Sequence, residues 1–133
     1  MRLLLDTSAL LAATRKADRN HKAATRFVRE GPRAAFVVSD LIVCEVATRL
    51  RANEGAARAV AAARDLLSGA IAEVVYVDRE ILASALAEMA RFADKRLSLA
   101  DCASFVLIRA LRLEGAFTFD DDFRSCGFAS FPV

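Results

Sequence analysis

Leu3-Leu4-Leu5-Asp6-Thr7-Ser8-Ala9-Leu10-Leu11-Ala12-Ala13 joins two apolar runs through one acid and two hydroxyls. Leu3 to Leu5 reads as a short strand that is apolar on both faces, the pattern of a strand inside a parallel sheet. Asp6-Thr7-Ser8 offers N-cap chemistry for a helix over residues 9–13. A strand that passes straight into a helix opens a β-α-β unit, and the rest of the chain continues the alternation. Arg15 to Asn20 is polar and reads as a loop. Residues 21–29 read as a helix with Ala24, Phe27 and Val28 inward, stopped by Gly31-Pro32. Residues 35–38 form a second apolar strand, and Ser39-Asp40 caps a long helix to about residue 53. An alanine-rich helix over about residues 54–67 follows, then a strand over 74–77. Asp78 caps a helix carrying Ile81, Leu82, Ala85, Leu86 and Met89, and Ser98 caps another to about residue 113. Residues 116–119 form a fourth strand and 128–131 a short fifth.

This order predicts a three-layer α/β/α domain, residues 1–133, with a central parallel sheet of four or five strands. The chain has 133 residues and is 56% hydrophobic, enough for one domain with one core. The net charge is +2, from 19 basic and 17 acidic side chains, so overall charge does not select a partner. If several acids are drawn into one pocket, the remaining surface is more basic than the average, which suits a polyanion. Cys44, Cys102 and Cys126 are odd in number and lack Cys-x-x-Cys spacing, which argues against a zinc site and for a reducing, cytoplasmic setting. Cys44 and Cys102 sit in apolar runs and read as small core residues. The apolar run at Leu3 is too short for a signal peptide, and no stretch is long enough to span a bilayer.

In a parallel α/β sheet, ligands bind beyond the carboxyl ends of the strands. Asp6 and Asp120 each close a strand, Glu45 follows the second strand within Leu41-Ile42-Val43-Cys44-Glu45-Val46-Ala47, and Asp101 opens a helix. Each acid has an ordinary structural use. Asp6 can cap its helix, and Asp101 can form a capping box with Ser98. Asp120-Asp121-Asp122 can be a solvated turn that starts a short helical segment, and Glu45 can pair with Arg49 one helical turn on. Taken together they suggest more, because acids gathered at one sheet edge repel one another and attract a hard divalent cation. Such an ion orients and deprotonates water and neutralises phosphate charge.

At these points the chain resembles the PIN-domain ribonucleases, especially the VapC-type toxins of bacterial toxin–antitoxin pairs. The resemblance is carried by Leu4-Leu5-Asp6-Thr7-Ser8-Ala9-Leu10, by Ser39-Asp40-Leu41-Ile42-Val43-Cys44-Glu45-Val46, by Leu97-Ser98-Leu99-Ala100-Asp101-Cys102-Ala103, and by Ala116-Phe117-Thr118-Phe119-Asp120-Asp121-Asp122-Phe123. It implies an endoribonuclease dependent on magnesium or manganese. Asp6 and Asp101 would bind the metal, Asp120 would complete the site directly or through water, and Glu45 would hold or polarise the attacking water. Asp122 is the alternative to Asp120. Thr7 or Thr118 would hydrogen-bond a ligand or a substrate phosphate. The resemblance also implies a homodimer, and a cognate antitoxin that places a basic side chain in the acidic pocket. A guanidinium can fill a pocket built for a cation.

For the RNA substrate the basic candidates are Arg15, Lys16 and Arg19 in the first loop, and Arg91, Lys95 and Arg96 ahead of Asp101. His21, the sole histidine, reads as a helix-start residue rather than a general base. Val60, Leu66 and Leu67 fit a dimer interface or ordinary core packing equally well. Two other functions fit parts of the pattern. A phosphoryl-transfer domain with Asp6 as nucleophile lacks the second aspartate two positions on, and a non-catalytic binding module leaves the intact acid set unexplained.

Overall fold

The computed structural model describes all residues, Met1–Val133. A five-stranded, all-parallel sheet is formed by β1 (Arg2–Leu5), β2 (Ala35–Ser39), β3 (Glu73–Val75), β4 (Gly115–Phe117) and β5 (Ser130–Phe131), in the spatial order β3-β2-β1-β4-β5. The helices are α1 (Thr7–Thr14), α2 (His21–Glu30), α3 (Asp40–Glu54), α4 (Ala56–Leu67), α5 (Arg79–Arg91), α6 (Leu99–Ala110) and α7 (Asp121–Ser125). The expected α/β/α architecture is borne out, with five strands. The central β1 leads to β2 on one side and has β4 on the other. The sheet therefore reverses its winding between β1 and β4, and a crevice opens there at the carboxyl ends of the strands.

The triplet Leu3, Leu4 and Leu5 is buried because helices cover both faces of the sheet. Phe27 from α2 packs at 4.7 Å, tilted, against Phe117 of β4, and Phe105 of α6 lies 5.1 Å from Phe123 and 4.6 Å from Phe128. Phe27 thereby fastens α2 to β4, and the Phe105, Phe123 and Phe128 cluster fastens α6 to α7 and to the segment before β5. The helix pairs α3–α4 and α5–α6 pack closely, and Gly55, at φ +91°, takes the backbone through the sharp corner between α3 and α4. Buried Glu88 of α5 forms an ion pair with Arg109 of α6, and Arg109 also lies 4.9 Å over the Phe128 ring. No helix is long and apolar enough to cross a membrane.

Two assignments from apolar spacing are corrected, and one left open is decided. Val28 is 57% exposed, because Ala24 and Phe27 take the inward arc of α2 and Val28 falls outside it. Cys44 is exposed, since α3 turns Ile42, Val43, Val46 and Leu50 toward the core and leaves Cys44 on the outer side. Leu66 is a buried core residue, whereas its neighbours Val60 and Leu67 are each 46% exposed. Only the latter two remain available to a partner. The third strand is also shorter than expected: the N–H of Val77 donates to Asp40 Oδ1 at 2.9 Å instead of joining a ladder.

Gly115 allows β4 and the segment before β5 to meet. A Cβ there would lie 2.3 Å from the Ala129 carbonyl oxygen, and both are backbone positions that cannot rotate away. Gly115→Ala is predicted to destabilise the fold by about 1–3 kcal/mol, the usual cost of overpacking. A urea midpoint equal to that of the unmodified chain would refute this.

Candidate active site

Asp6 is the last residue before α1 and is 95% removed from solvent; it is at the N-cap position, yet its side chain makes no capping bond. Its carboxylate is held from elsewhere. Thr118 Oγ1 donates to Asp6 Oδ2 at 2.7 Å, and Ser8 Oγ donates to the same oxygen at 2.8 Å. Both hydroxyls have their acceptor side filled by backbone: Asp120 N–H donates to Thr118 Oγ1 at 3.0 Å and Phe119 N–H to Ser8 Oγ at 2.9 Å. Each hydroxyl proton is thereby directed at Asp6. The two relays tie the loop after β4 to the end of β1, and Asp120 is positioned relative to Asp6 as a result.

Asp101 stands in the first turn of α6 and forms a complete capping box with Ser98: Asp101 N–H donates to Ser98 Oγ at 3.0 Å, and Ser98 N–H to Asp101 Oδ2 at 3.1 Å. Asp120 caps α7, accepting from Asp122 N–H at 2.9 Å. The structural uses read from sequence are thus real for these two acids and absent for Asp6. Glu45 does not pair with Arg49. Thr7 Oγ1, which is buried, donates to Glu45 Oε2 at 3.0 Å and turns that carboxylate toward the start of α1. Thr7 and Thr118 are therefore engaged with carboxylates. Ser8 was missed as a supporting residue; the visible signal was a hydroxyl two positions after a strand-closing acid.

Burial pushes the Asp6 carboxyl above its usual range against the pull of its hydroxyl donors, and the charge of Asp120 adds to the rise. Burial also pushes Asp101 up to about 6, with Asp6 and Asp120 contributing by repulsion and the Ser98 contacts opposing. The charge of Asp120 thus bears on both Asp6 and Asp101, and that of Asp6 on Asp101. Burial and the neighbouring Asp120 raise Asp122 as well, while Lys95 lowers it. The ion pairs of the protein join Arg2 to Glu73, Arg15 and Arg58 to Glu54, Arg26 to Glu30, Lys95 to Asp94 and Arg109 to Glu88. None involves Asp6, Glu45, Asp101 or Asp120. A buried carboxylate without a countercharge is costly, and Asp6 is buried while the half-buried Asp101 and Asp120 add their repulsion to the site. The donors are all oxygen, which suits a hard divalent cation. No three acidic, histidine or cysteine side chains close into a ready-made cage, so water would fill the remaining positions of any ion held here.

The other marked residues have plainer roles. His21 begins α2, and its Nδ1 lies 2.7 Å from the Ala12 carbonyl, which can only accept. Arg15 is drawn into the Glu54 ion pair, whereas Lys16, Arg19, Arg91 and Arg96 are exposed. Cys102 and Cys126 are buried, and burial pushes both thiols up, as befits unreactive core residues.

An all-parallel α/β fold with Asp6 and Asp120 following its adjacent strands β1 and β4 matches one family by sequence. The chain belongs to the PIN domain family, which matches residues 3–129. It is 29% identical over 126 residues to VapC20 of Mycobacterium tuberculosis, named a 23S rRNA-specific endonuclease, in two strains; the match spans 95% of each chain. A crystal structure of M. tuberculosis VapC20, described as a Sarcin-Ricin loop cleaving toxin, superposes with a TM-score of 0.88 at 28% identity over 96% of both chains. VapBC2 of Rickettsia felis, bound to a DNA fragment from its promoter, shares the fold alone, with a TM-score of 0.65 at 10% identity over 98% of this chain and 97% of that one.

The raised carboxyls predict a pH dependence of folding. The Asp101 carboxyl holds its proton more tightly when folded (about 6) than at its ordinary value of 3.8, so its contribution to stability is full below 3.8 and is lost as pH rises through about 6. Thermal unfolding in chelator should therefore show the unmodified chain losing stability relative to Asp101→Asn across that window. Parallel curves for the two proteins would contradict the assignment.

Proposed function

We propose that the chain is a metal-dependent endoribonuclease that hydrolyses RNA phosphodiester bonds, acting in the cytoplasm as the toxin of a toxin–antitoxin pair. The observation that carries this reading is Asp6, buried at the carboxyl end of β1, held by two hydroxyls and paired with no cation of the protein; the charges of Asp101 and Asp120 nearby support it. The membership in the PIN family and the likeness to VapC20 over nearly the whole chain support the same reading. Asp6, Asp101 and Asp120 would hold magnesium or manganese, Asp120 being favoured over Asp122 because its charge bears on both of the other acids. The ion supplies Lewis acidity toward a phosphate oxygen and activation of water.

The residues of the chain do the remaining work. Ser8 and Thr118 oppose the desolvation of Asp6 and fix its carboxyl through two hydrogen bonds to one oxygen, which leaves its Oδ1 for a ligand. Glu45, oriented by Thr7, would hold or polarise the attacking water. In the absence of RNA, the same uncompensated charge would receive an arginine or lysine from an antitoxin. A homodimer completes this reading; Val60 and Leu67 are exposed for it.

Incubation of total RNA with the purified chain, in magnesium, manganese or chelator, tests the proposal. Cutting should require the metal and should fall by well over ~100-fold in Asp6→Asn and Asp101→Asn, more than loss of an outer support causes. Equal cutting by folded Asp6→Asn protein would sink the assignment. Metal binding without cutting of any RNA would favour a binding module.

Removal of a support has a smaller signature. Thr118→Val deletes one donor to Asp6 and the acceptor for Asp120 N–H. It should weaken manganese binding by roughly 10–100-fold, with a parallel fall in cleavage. Calorimetric titration giving an unaltered affinity would show that the hydroxyl is dispensable.

A further inference from the structure

Helix α2 presents a basic face that the acidic crevice does not use. Lys22, Arg26 and Arg29 follow one another at spacings of four and three residues, which places them on one side of the helix. The opposite side carries the buried Ala24 and Phe27, so the stripe points outward, and Arg33 continues it beyond the helix end. All four basic side chains are exposed. The one acid paired with them is Glu30, 3.8 Å from Arg26, and that pair is 80% and 66% exposed, so it neutralises little. Lys22, Arg29 and Arg33 have no acidic partner. Two open hollows flank the stripe and share Arg29; one is bordered by Pro132 just past β5, the other by Met1 and Arg2 at the amino end of the sheet.

We propose that this outward face of α2 is a second contact for the RNA substrate, which grips its phosphate backbone away from the scissile bond. The inference rests on the ribonuclease reading. Charge complementarity selects the occupant: the stripe is of one sign, runs for about 10 Å from Lys22 to Arg29 at the helical rise, and consists mainly of arginine, whose fork suits phosphate. A protein partner would need an apolar centre, and Val28 is the only large apolar side chain exposed on this helix. The contact would act on affinity and on approach of a long or folded RNA, and would leave the chemistry of the crevice untouched.

The test is RNA binding in chelator, followed by fluorescence anisotropy of a labelled hairpin RNA over a range of salt. The combined variant Lys22→Gln/Arg26→Gln/Arg29→Gln should bind at least ~10-fold more weakly, and its slope of log affinity against log salt should be shallower by about 2, since each lost phosphate contact removes about 0.7–0.9. A control, Arg51→Gln/Arg64→Gln/Arg79→Gln, removes equal charge from other exposed positions and should leave both quantities near those of the unmodified chain. Arg26→Lys/Arg29→Lys should retain the slope. An unchanged slope in the first variant, or an equal loss in the control, overturns the proposal and leaves the stripe as a solvated face or a site for an acidic protein. Cleavage of total RNA by the unmodified chain in magnesium is measured alongside. Failure there strikes the ribonuclease reading, whereas intact cleavage with an unchanged slope strikes only the α2 contact.

Discussion

Everything at the carboxyl edge of the sheet depends on how a buried carboxylate, Asp6, is held without a countercharge. Two hydroxyls give their protons to one of its oxygens, and each hydroxyl is itself aimed by a backbone N–H from the loop after β4. This arrangement favours ionised Asp6 against the desolvation that opposes it, and it fixes the distance between the ends of β1 and β4. Neutral donors cannot cancel the charge. They leave any negative charge on Asp6 still in need of a cation, which is the condition a metal site or an inserted guanidinium requires.

The fold sets this condition at its centre. Because β1 is the middle strand and β4 lies against it on the side away from β2, the end of β1 borders a crevice rather than a covering helix connection. Helix α6 brings Asp101 to the same crevice by its first turn, and the Glu88–Arg109 pair with the Phe105, Phe123 and Phe128 cluster holds that helix in place. Two acids serve twice. Asp101 and Asp120 satisfy helix-end N–H groups while their charge bears on Asp6, so the side chains that stabilise the helix starts also add the repulsion of the acidic pocket.

The layout separates two kinds of charge. Negative charge is gathered inward at the crevice, and much of the positive charge that balances it lies on outward helix faces, with α2 the clearest instance. A chain with a net charge of only +2 can in this way present a strong field of each sign in different places. For an enzyme acting on a polyanion, the inner charge calls for the cation and the outer charge attracts the substrate.

Strand and helix order, the parallel sheet and the candidacy of Asp6, Glu45, Asp101 and Asp120 were legible in the sequence, because apolar runs, caps and strand-closing acids are local signals. Side-chain direction was less so. Val28, Cys44 and Leu66 sit in apolar runs, but a few tens of degrees of helix rotation decide which residues face inward, and that rotation is set by packing against the sheet. Buried Glu88 had no local signal, since its partner Arg109 lies on another helix. The partners of the acids were likewise beyond reach: Thr118 is 112 residues from Asp6, and Thr7 is 38 from Glu45. The sequence by itself determined the elements, their order and the identity of the acids, since those follow from periodicity and neighbours along the chain. Only the tertiary structure decided which carboxylates share a crevice, which hydroxyls hold them and which charges stay unpaired, because these are matters of through-space distance and desolvation that no spacing along the chain records.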